Sequence, residues 1–118
     1  MNTVQTIVAD LEVIQASHMV DFVHVIERGR QVLKARVYLS GDLFLQVYRN
    51  DRFGTTNFAL ILGDRRIYGR DEREGSWHKH PVEDPDAHDE SDEGRREITL
   101  HEFWEEVLAV IDCLGLLP

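Results

Sequence analysis

The sequence predicts an α+β domain with an N-terminal helix, an antiparallel meander sheet of four to five strands, and a C-terminal helix. Apolar residues recur at helical spacing near both ends of the chain, and between these segments they alternate with period two. Short runs of turn residues separate the alternating segments. With 118 residues, 42% of them hydrophobic and 30% charged, the chain can form a core without disulfide bonds or metal ions, so we expect one domain over residues 1–118.

Amphipathic helices are predicted at the two ends of the domain. The first is expected over residues 3–16, where Asn2 and Gln5 have the spacing of a capping box. The last is expected to begin after a capping box of Thr99 and Glu102, and to end at Gly115, which suits a left-handed C-terminal cap. The apolar stripe of the first helix consists of Val4, Ile7, Val8, Leu11 and Ile14.

Five strands are predicted between the helices, over residues 19–26, 33–39, 43–48, 56–62 and 66–69. Gly63 and Asp64 form a two-residue turn of the kind that joins antiparallel strands. The other connections are also short, whereas parallel pairing requires crossovers of about a dozen residues or more. Consecutive strands are therefore expected to pair as a meander.

A long polar loop is predicted at about residues 72–97. This segment has no sustained periodicity, contains two prolines and includes an acid-rich run over residues 83–93. Structureless connections longer than about 12–15 residues are uncommon in compact domains and are either functional or disordered. The sequence leaves both alternatives open.

Charge is distributed unevenly along the chain. The formal net charge is −9, which argues against nucleic acid because phosphate binding depends on Lys and Arg. Residues 28–80, however, contain eleven basic and six acidic residues, whereas residues 81–118 contain two basic and twelve acidic residues. The basic middle is either a solvated face of the sheet or a surface that contacts an acidic partner.

Several classes of protein are disfavoured by the sequence. Cys113 is the single cysteine, so an intrachain disulfide and a four-cysteine zinc site are excluded. Residues 1–16 have no basic residue and carry acidic residues within the apolar stripe, and no apolar run reaches the length of a membrane span. We therefore expect a cytoplasmic protein without a membrane partner. Nucleotide-binding and serine-hydrolase motifs are missing, and no cofactor is expected.

Histidines and a carboxylate around the predicted loop form the candidate catalytic site. His78 and His80 are two residues apart, so in an extended segment their rings lie on the same side. With Asp71, they suggest a metal-independent ribonuclease in which one histidine deprotonates the 2′-hydroxyl and the other protonates the leaving oxygen. Basic side chains would stabilise the phosphorane and a tryptophan would stack on a base. These predicted substrate-binding residues are Arg70, Arg73, Lys79 and Trp77.

Two other interpretations of the same residues remain open. No metal is expected, but if the chain binds one, His78, His80 and His88 are the candidate ligands for zinc, nickel or iron. Alternatively, the histidines are solvated loop residues and Trp77 belongs to the core. The chain would then be a non-enzymatic module that uses an exposed sheet edge or helix stripe to form a homodimer or to bind a protein partner.

Short segments of the chain, in order, resemble one known family. They are Val20 to Glu27, Leu43 to Tyr48, Phe58 to Ile61, Arg66 to Asp71, and His78-Lys79-His80. Together these segments resemble the TumE-like family of small prokaryotic proteins, which is associated with toxin–antitoxin gene pairs. The resemblance implies a toxin component with a helix-turn-helix antitoxin as its partner and RNA as its target. It also assigns Asp71, His78 and His80 to the site.

Overall fold

The computed structural model, in which residues 1–116 are described, contains two helices and one six-stranded sheet. The strands lie side by side in chain order, and every neighbouring pair is antiparallel. The predicted α+β class and meander topology are confirmed. No helix within residues 1–116 is long and apolar enough to cross a membrane. The elements are α1 Val4–Gln15, β1 Phe22–Arg28, β2 Val32–Ser40, β3 Leu43–Asn50, β4 Thr55–Leu62, β5 Arg65–Arg73, β6 Ser76–His80 and α2 Leu100–Leu114.

The sheet has one strand more than predicted, because residues 72–80 are not part of a loop. The fifth strand continues to Arg73, and β6 pairs with it from Ser76 onwards. Glu74 and Gly75 form the intervening turn with φ angles of 52° and 83°. A two-residue turn with both φ angles positive matches the right-handed twist of a hairpin. Glutamate rarely adopts such a φ, which is why the sequence carries no clear hairpin signal here.

Both helices pack on one side of the sheet, which we call the inner face. Inner-face side chains of β2 and β3 alternate with more exposed ones, and α1 packs on β2 while α2 packs on β4. Burial of each large apolar side chain stabilises the fold by about 1.5–3 kcal/mol before entropic costs. The core is a single cluster that includes Ile7, Ile14, Leu33, Leu45, Phe58, Leu60, Phe103 and Val107.

The helix caps agree with prediction at α2 and differ at α1. Thr99 and Glu102 form the predicted capping box of α2, and Gly115 caps its C-terminus with φ 63°. At α1 the capping box is formed by Thr3 and Thr6, so the prediction of Asn2 and Gln5 is wrong. The reason is that Asn2 is buried and its Nδ2 donates to the carbonyl of Ile98 at 2.8 Å. Asn2 therefore links the N-terminus to the start of α2.

The α2 cap gives one pH-dependent contribution to stability. The backbone N–H of Thr99 donates to the carboxylate of Glu102 at 3.0 Å and holds the pKa of Glu102 below its ordinary value of 4.5. A carboxyl group whose pKa is lowered by folding stabilises the fold above its unfolded pKa, and this contribution is lost as the pH falls through the folded pKa. Urea unfolding between about pH 6 and about pH 3 will therefore show a weaker pH dependence for Glu102→Gln than for wild type. Equal slopes, or the same change in the exposed-site control Glu105→Gln, would contradict this assignment.

Candidate functional site

The outer face of the sheet, opposite the helices, carries a continuous row of polar and aromatic side chains. Residues paired across neighbouring strands lie on the same face. The register pairs Lys34 with Tyr48, Tyr48 with Asn57, Asn57 with Asp71, and Asp71 with His78. We call these five residues the outer row. At about 4.8 Å between strands, the row is about 19 Å long.

A cleft of about 290 Å³ lies along the outer row from Lys34 to Asp71, and His78 lies beside Asp71 outside its lining. This volume is close to the lower end of small-molecule sites, at about 300 Å³. Its lining joins two basic groups, a phenol ring, two amides, two threonines and two carboxylates at one place on the sheet. The lining residues are Lys34, Gln46, Tyr48, Thr55, Thr56, Asn57, Asp71, Glu72 and Arg73.

Asp71 is held in position by His80. Nε2 of His80 lies 3.0 Å from Oδ2 of Asp71, and Nδ1 lies 3.1 Å from the carbonyl oxygen of Pro85. A carbonyl oxygen only accepts hydrogen bonds, so Nδ1 must donate to Pro85. The other ring nitrogen, Nε2, faces the Asp71 carboxyl group, so both nitrogens of His80 have partners within the protein. His80 thereby fixes Asp71 to the segment that follows β6.

The second predicted histidine, His78, is more accessible. Its Nδ1 lies 3.7 Å from Asp71 and its Nε2 lies 3.7 Å from Glu90, and its side chain is 24% exposed. Both distances are within ion-pair range but too long for hydrogen bonds. The exposed ring of His88 has its centre 5.3 Å from that of His78. His78 and His88 are thus two imidazoles whose nitrogens remain available to a substrate beside Asp71.

Residues 81–97 close the edge of the sheet beside this site. The backbone N–H of Asp89 donates to the carbonyl of Lys79 at 2.8 Å, which pairs the returning chain with β6. This pairing brings His88 over the ring of His80, with ring centres 4.8 Å apart. The N–H and hydroxyl of Ser91 lower the pKa of Asp89, so its carboxylate stays charged within this turn. The acidic segment is therefore built into the site.

Three of the four predicted substrate-binding residues do not face the cleft. Strand alternation directs Arg70, Trp77 and Lys79 towards the inner side of the sheet, opposite to His78. Trp77 is 4% exposed and packs against Phe58, so the prediction that it stacks on a base is wrong. Lys79 pairs with the carboxylate of Glu93 at 3.1 Å. The fourth predicted residue, Arg73, is the one that lines the cleft.

Arg70 is a structural residue, which corrects its predicted role in substrate binding. Its side chain has no exposed surface, and its guanidinium binds Glu106 at 2.8 and 3.0 Å. Glu93 accepts a further hydrogen bond from it. Although burial disfavours the charge, these bonds raise the pKa of Arg70 above its ordinary value. Tyr68 joins the same network through a 2.6 Å hydrogen bond to Glu106, and burial raises the pKa of Tyr68.

His80 is also less accessible than predicted for a catalytic group. It is 2% exposed, and both of its ring nitrogens are engaged within the protein. This geometry suits a residue that positions Asp71 rather than one that contacts a substrate. The same engagement removes it as a free metal ligand alongside His78 and His88. Within residues 1–116, no group of three or more His, Cys, Asp or Glu side chains could hold a metal ion.

The sequence prediction also missed Lys34 and Asn57 as members of the site. The sequence shows that Lys34 alternates with core residues in β2. It does not show which side chains of the other strands lie beside Lys34, because that depends on the pairing of five strands. No motif marks Asn57. Comparison of the chain with protein-family models, curated proteins and solved structures gave no match.

Proposed function

We propose that the protein is the toxin component of a prokaryotic toxin–antitoxin pair and acts on RNA in the cytoplasm. The observation that carries the RNA part of the proposal is the outer row, which joins a lysine, a tyrosine, an amide, a carboxylate and an imidazole on the face not used by the helices. Basic side chains contact phosphates, aromatic rings stack on bases, and imidazole transfers protons near neutral pH.

The charge of the outer face supports this proposal despite the net charge of the chain. Strands β2–β6 present four basic side chains on this face, whereas Asp71 is their one acidic side chain there. Residues 81–97 carry eight acidic and two basic residues, so most of the net charge of −9 lies in this segment. It meets the row at the His78 end, where Glu90 lies 3.7 Å from Nε2 of His78. A local basic surface attracts a polyanion even on an acidic protein. The four basic residues are Lys34, Arg36, Arg66 and Arg73.

The proposed chemistry is cleavage by the 2′-hydroxyl of the RNA itself. His78, beside Asp71, accepts the 2′-hydroxyl proton as the 2′-oxygen bonds to phosphorus. The bond from phosphorus to the 5′-oxygen breaks, and His88 gives that oxygen its proton. Arg73 at the cleft stabilises the charge of the phosphorane. The products carry a 2′,3′-cyclic phosphate and a 5′-hydroxyl. His88 here takes the place that the sequence assigned to His80.

Binding of RNA to the outer row can be tested without reference to cleavage. Tyr48→Ala should weaken binding of a single-stranded RNA by about 5- to 150-fold, because stacking of one base contributes about 1–3 kcal/mol. Lys34→Ala should weaken binding and reduce the salt dependence by about one ion. Fluorescence anisotropy at several salt concentrations measures both effects. Arg65→Ala, which removes one exposed positive charge from the first residue of β5, is the matched control. Equal losses in all three variants would contradict a site on the outer row.

The toxin part of the proposal has a separate test. Expression of the chain in a bacterial host should arrest growth, and co-expression of the gene adjacent to it should relieve the arrest if that gene encodes the antitoxin. A stable complex of the two products on gel filtration would identify the partner. Normal growth at a level of soluble protein sufficient for purification would contradict the toxin assignment, while leaving RNA binding to be judged by the anisotropy measurements.

A further inference from the structure

The two edges of the sheet are treated differently by the fold. At the β6 edge, Asp89 pairs with Lys79 and residues 81–97 cover the strand. At the other edge, β1 has β2 as its strand neighbour in the sheet order. One side of the seven-residue strand Phe22–Arg28 therefore offers its backbone N–H and C=O groups to solvent. Proteins usually protect such an edge because it can pair with another chain.

The side chains of β1 are unusually apolar for an exposed strand. Phe22, Val25 and Ile26 are 52%, 47% and 42% exposed. Val25 points to the inner face, but β1 lies at the margin of the helix layer, since α1 packs on β2 and α2 packs on β4. Exposed apolar side chains grouped on one edge strand mark an interaction surface.

We propose that β1 pairs antiparallel with β1 of a second copy of this chain across a two-fold axis, which joins the two sheets into one. The axis passes between Val25 and Ile26, so that each of these residues faces the other in the partner. This register places His24 opposite Glu27 of the partner subunit. It also brings Asp21, which precedes β1, towards Arg30 of the partner subunit, in the connection that follows β1. Each of the two contacts occurs twice by symmetry. The strand is therefore complementary in charge to its own copy, which identifies the partner. The inference goes beyond the proposed action on RNA and does not depend on it.

The β-bulge in β1 supports this register. Val25 pairs with Ala35 and Glu27 pairs with Lys34, so the register shifts between Val25 and Glu27. After such a one-residue shift, even-numbered and odd-numbered residues of the strand exchange the faces of the sheet to which they point. With the axis at the bulge, His24 lies opposite Glu27 of the partner subunit, and both side chains are on the outer face. Val23 likewise lies opposite Arg28 of the partner subunit, and both side chains are on the inner face. A register displaced by one residue would oppose inner-face and outer-face side chains. In the proposed dimer both outer faces consequently lie on the same side of a continuous sheet.

The experiment is a measurement of mass in solution by sedimentation velocity over a range of protein concentrations. We expect wild type to sediment at twice the chain mass of 13.7 kDa. Ile26→Lys should raise the dissociation constant of the dimer by roughly 100-fold or more, because each dimer loses two buried isoleucine contacts and gains two adjacent positive charges. Val13→Lys is the matched control, since Val13 is 63% exposed on α1. A monomeric wild type at about 0.5 mM, far above the dissociation constants typical of specific dimers, would overturn the proposal. A dimer unaffected by Ile26→Lys would do the same.

The register has its own test, which does not rely on apolar contacts. Arg30→Asp places like charges opposite each other twice and should weaken the dimer by about three- to tenfold. Adding Asp21→Arg exchanges the two charges and should restore wild-type association. Failure of the double variant to recover would overturn the register. Circular dichroism should show that every variant stays folded, because all the altered residues are exposed.

Discussion

Replacement of Glu106 by alanine is expected to lower the free energy of unfolding by about 3–5 kcal/mol, the range found when one partner of a buried ion pair is removed. The substitution leaves the fully buried guanidinium of Arg70 without its two-point partner. It also takes the acceptor from the hydroxyl of Tyr68. Glu93 remains beside Arg70, but its side chain is 52% exposed. Urea denaturation at neutral pH measures the change.

Glu105→Ala is the control for this prediction. Glu105 is adjacent on α2 but 67% exposed, and its ion pair with His101 lies on the surface. Such pairs contribute about 0–1 kcal/mol, so the control should lose far less stability. The double variant Arg70→Met, Glu106→Leu removes both charges at once and should recover much of the lost stability, because no buried charge is left unpaired. If Glu106→Ala is no less stable than Glu105→Ala, Arg70 does not have the structural role assigned to it.

His78→Ala is expected to reduce RNA cleavage by about 10²- to 10⁴-fold, the range for loss of one general acid or base. Its side chain is accessible and lies beside Asp71, so the substitution should leave the core intact. The assay follows an end-labelled RNA and identifies the terminal groups of the products. A 2′,3′-cyclic phosphate is expected from wild type.

His101→Ala provides the comparison for His78→Ala. It also removes an accessible histidine, with a side chain 51% exposed, but from the first turn of α2. We expect its cleavage rate to match wild type. If both variants cleave at the wild-type rate, His78 has no catalytic role. That result would not decide whether RNA binds to the outer row, which the Tyr48 and Lys34 variants test separately.

The sequence was most informative where alternation and burial coincide. Leu33, Val37 and Leu45 alternate with polar residues because one face of β2 and β3 packs against the helices. Short turns then allow one topology, the meander. The sixth strand escaped prediction because its turn contains Glu74 at positive φ. Residues with positive φ in tight turns are usually Gly, Asn or Asp, so a turn that contains Glu at such a position has no recognisable sequence motif.

The site was only partly predictable, for two physical reasons. The spacing of His78 and His80 correctly predicts that both rings face one side of the sheet. Had residues 76–80 been recognised as a strand, the same alternation would have placed Trp77 and Lys79 on the opposite side. The burial of His80, in contrast, depends on the carbonyl of Pro85, which residues 81–97 bring back over the sheet. The path of such a long connection is set by tertiary contacts that no local pattern encodes.

The membership of the outer row depends on register across the whole sheet. Lys34 and His78 are separated by four strand pairings, and irregularities occur between Tyr38 and Ser40 and between Leu60 and Ile61. Each irregularity exchanges the faces of all residues beyond it. A sequence pattern gives the alternation within one strand but not these shifts, so the row could be recognised only in three dimensions.

The most direct test of the outer row as an RNA surface is an NMR titration of ¹⁵N-labelled protein with a short single-stranded RNA. We expect the largest amide shift changes on β2–β6 around Lys34, Tyr48, Asn57, Asp71 and His78, with little change along α2. Shift changes confined to the helices, or a spectrum unchanged at RNA concentrations of about 1 mM, where even weak nonspecific binding is seen, would contradict the account.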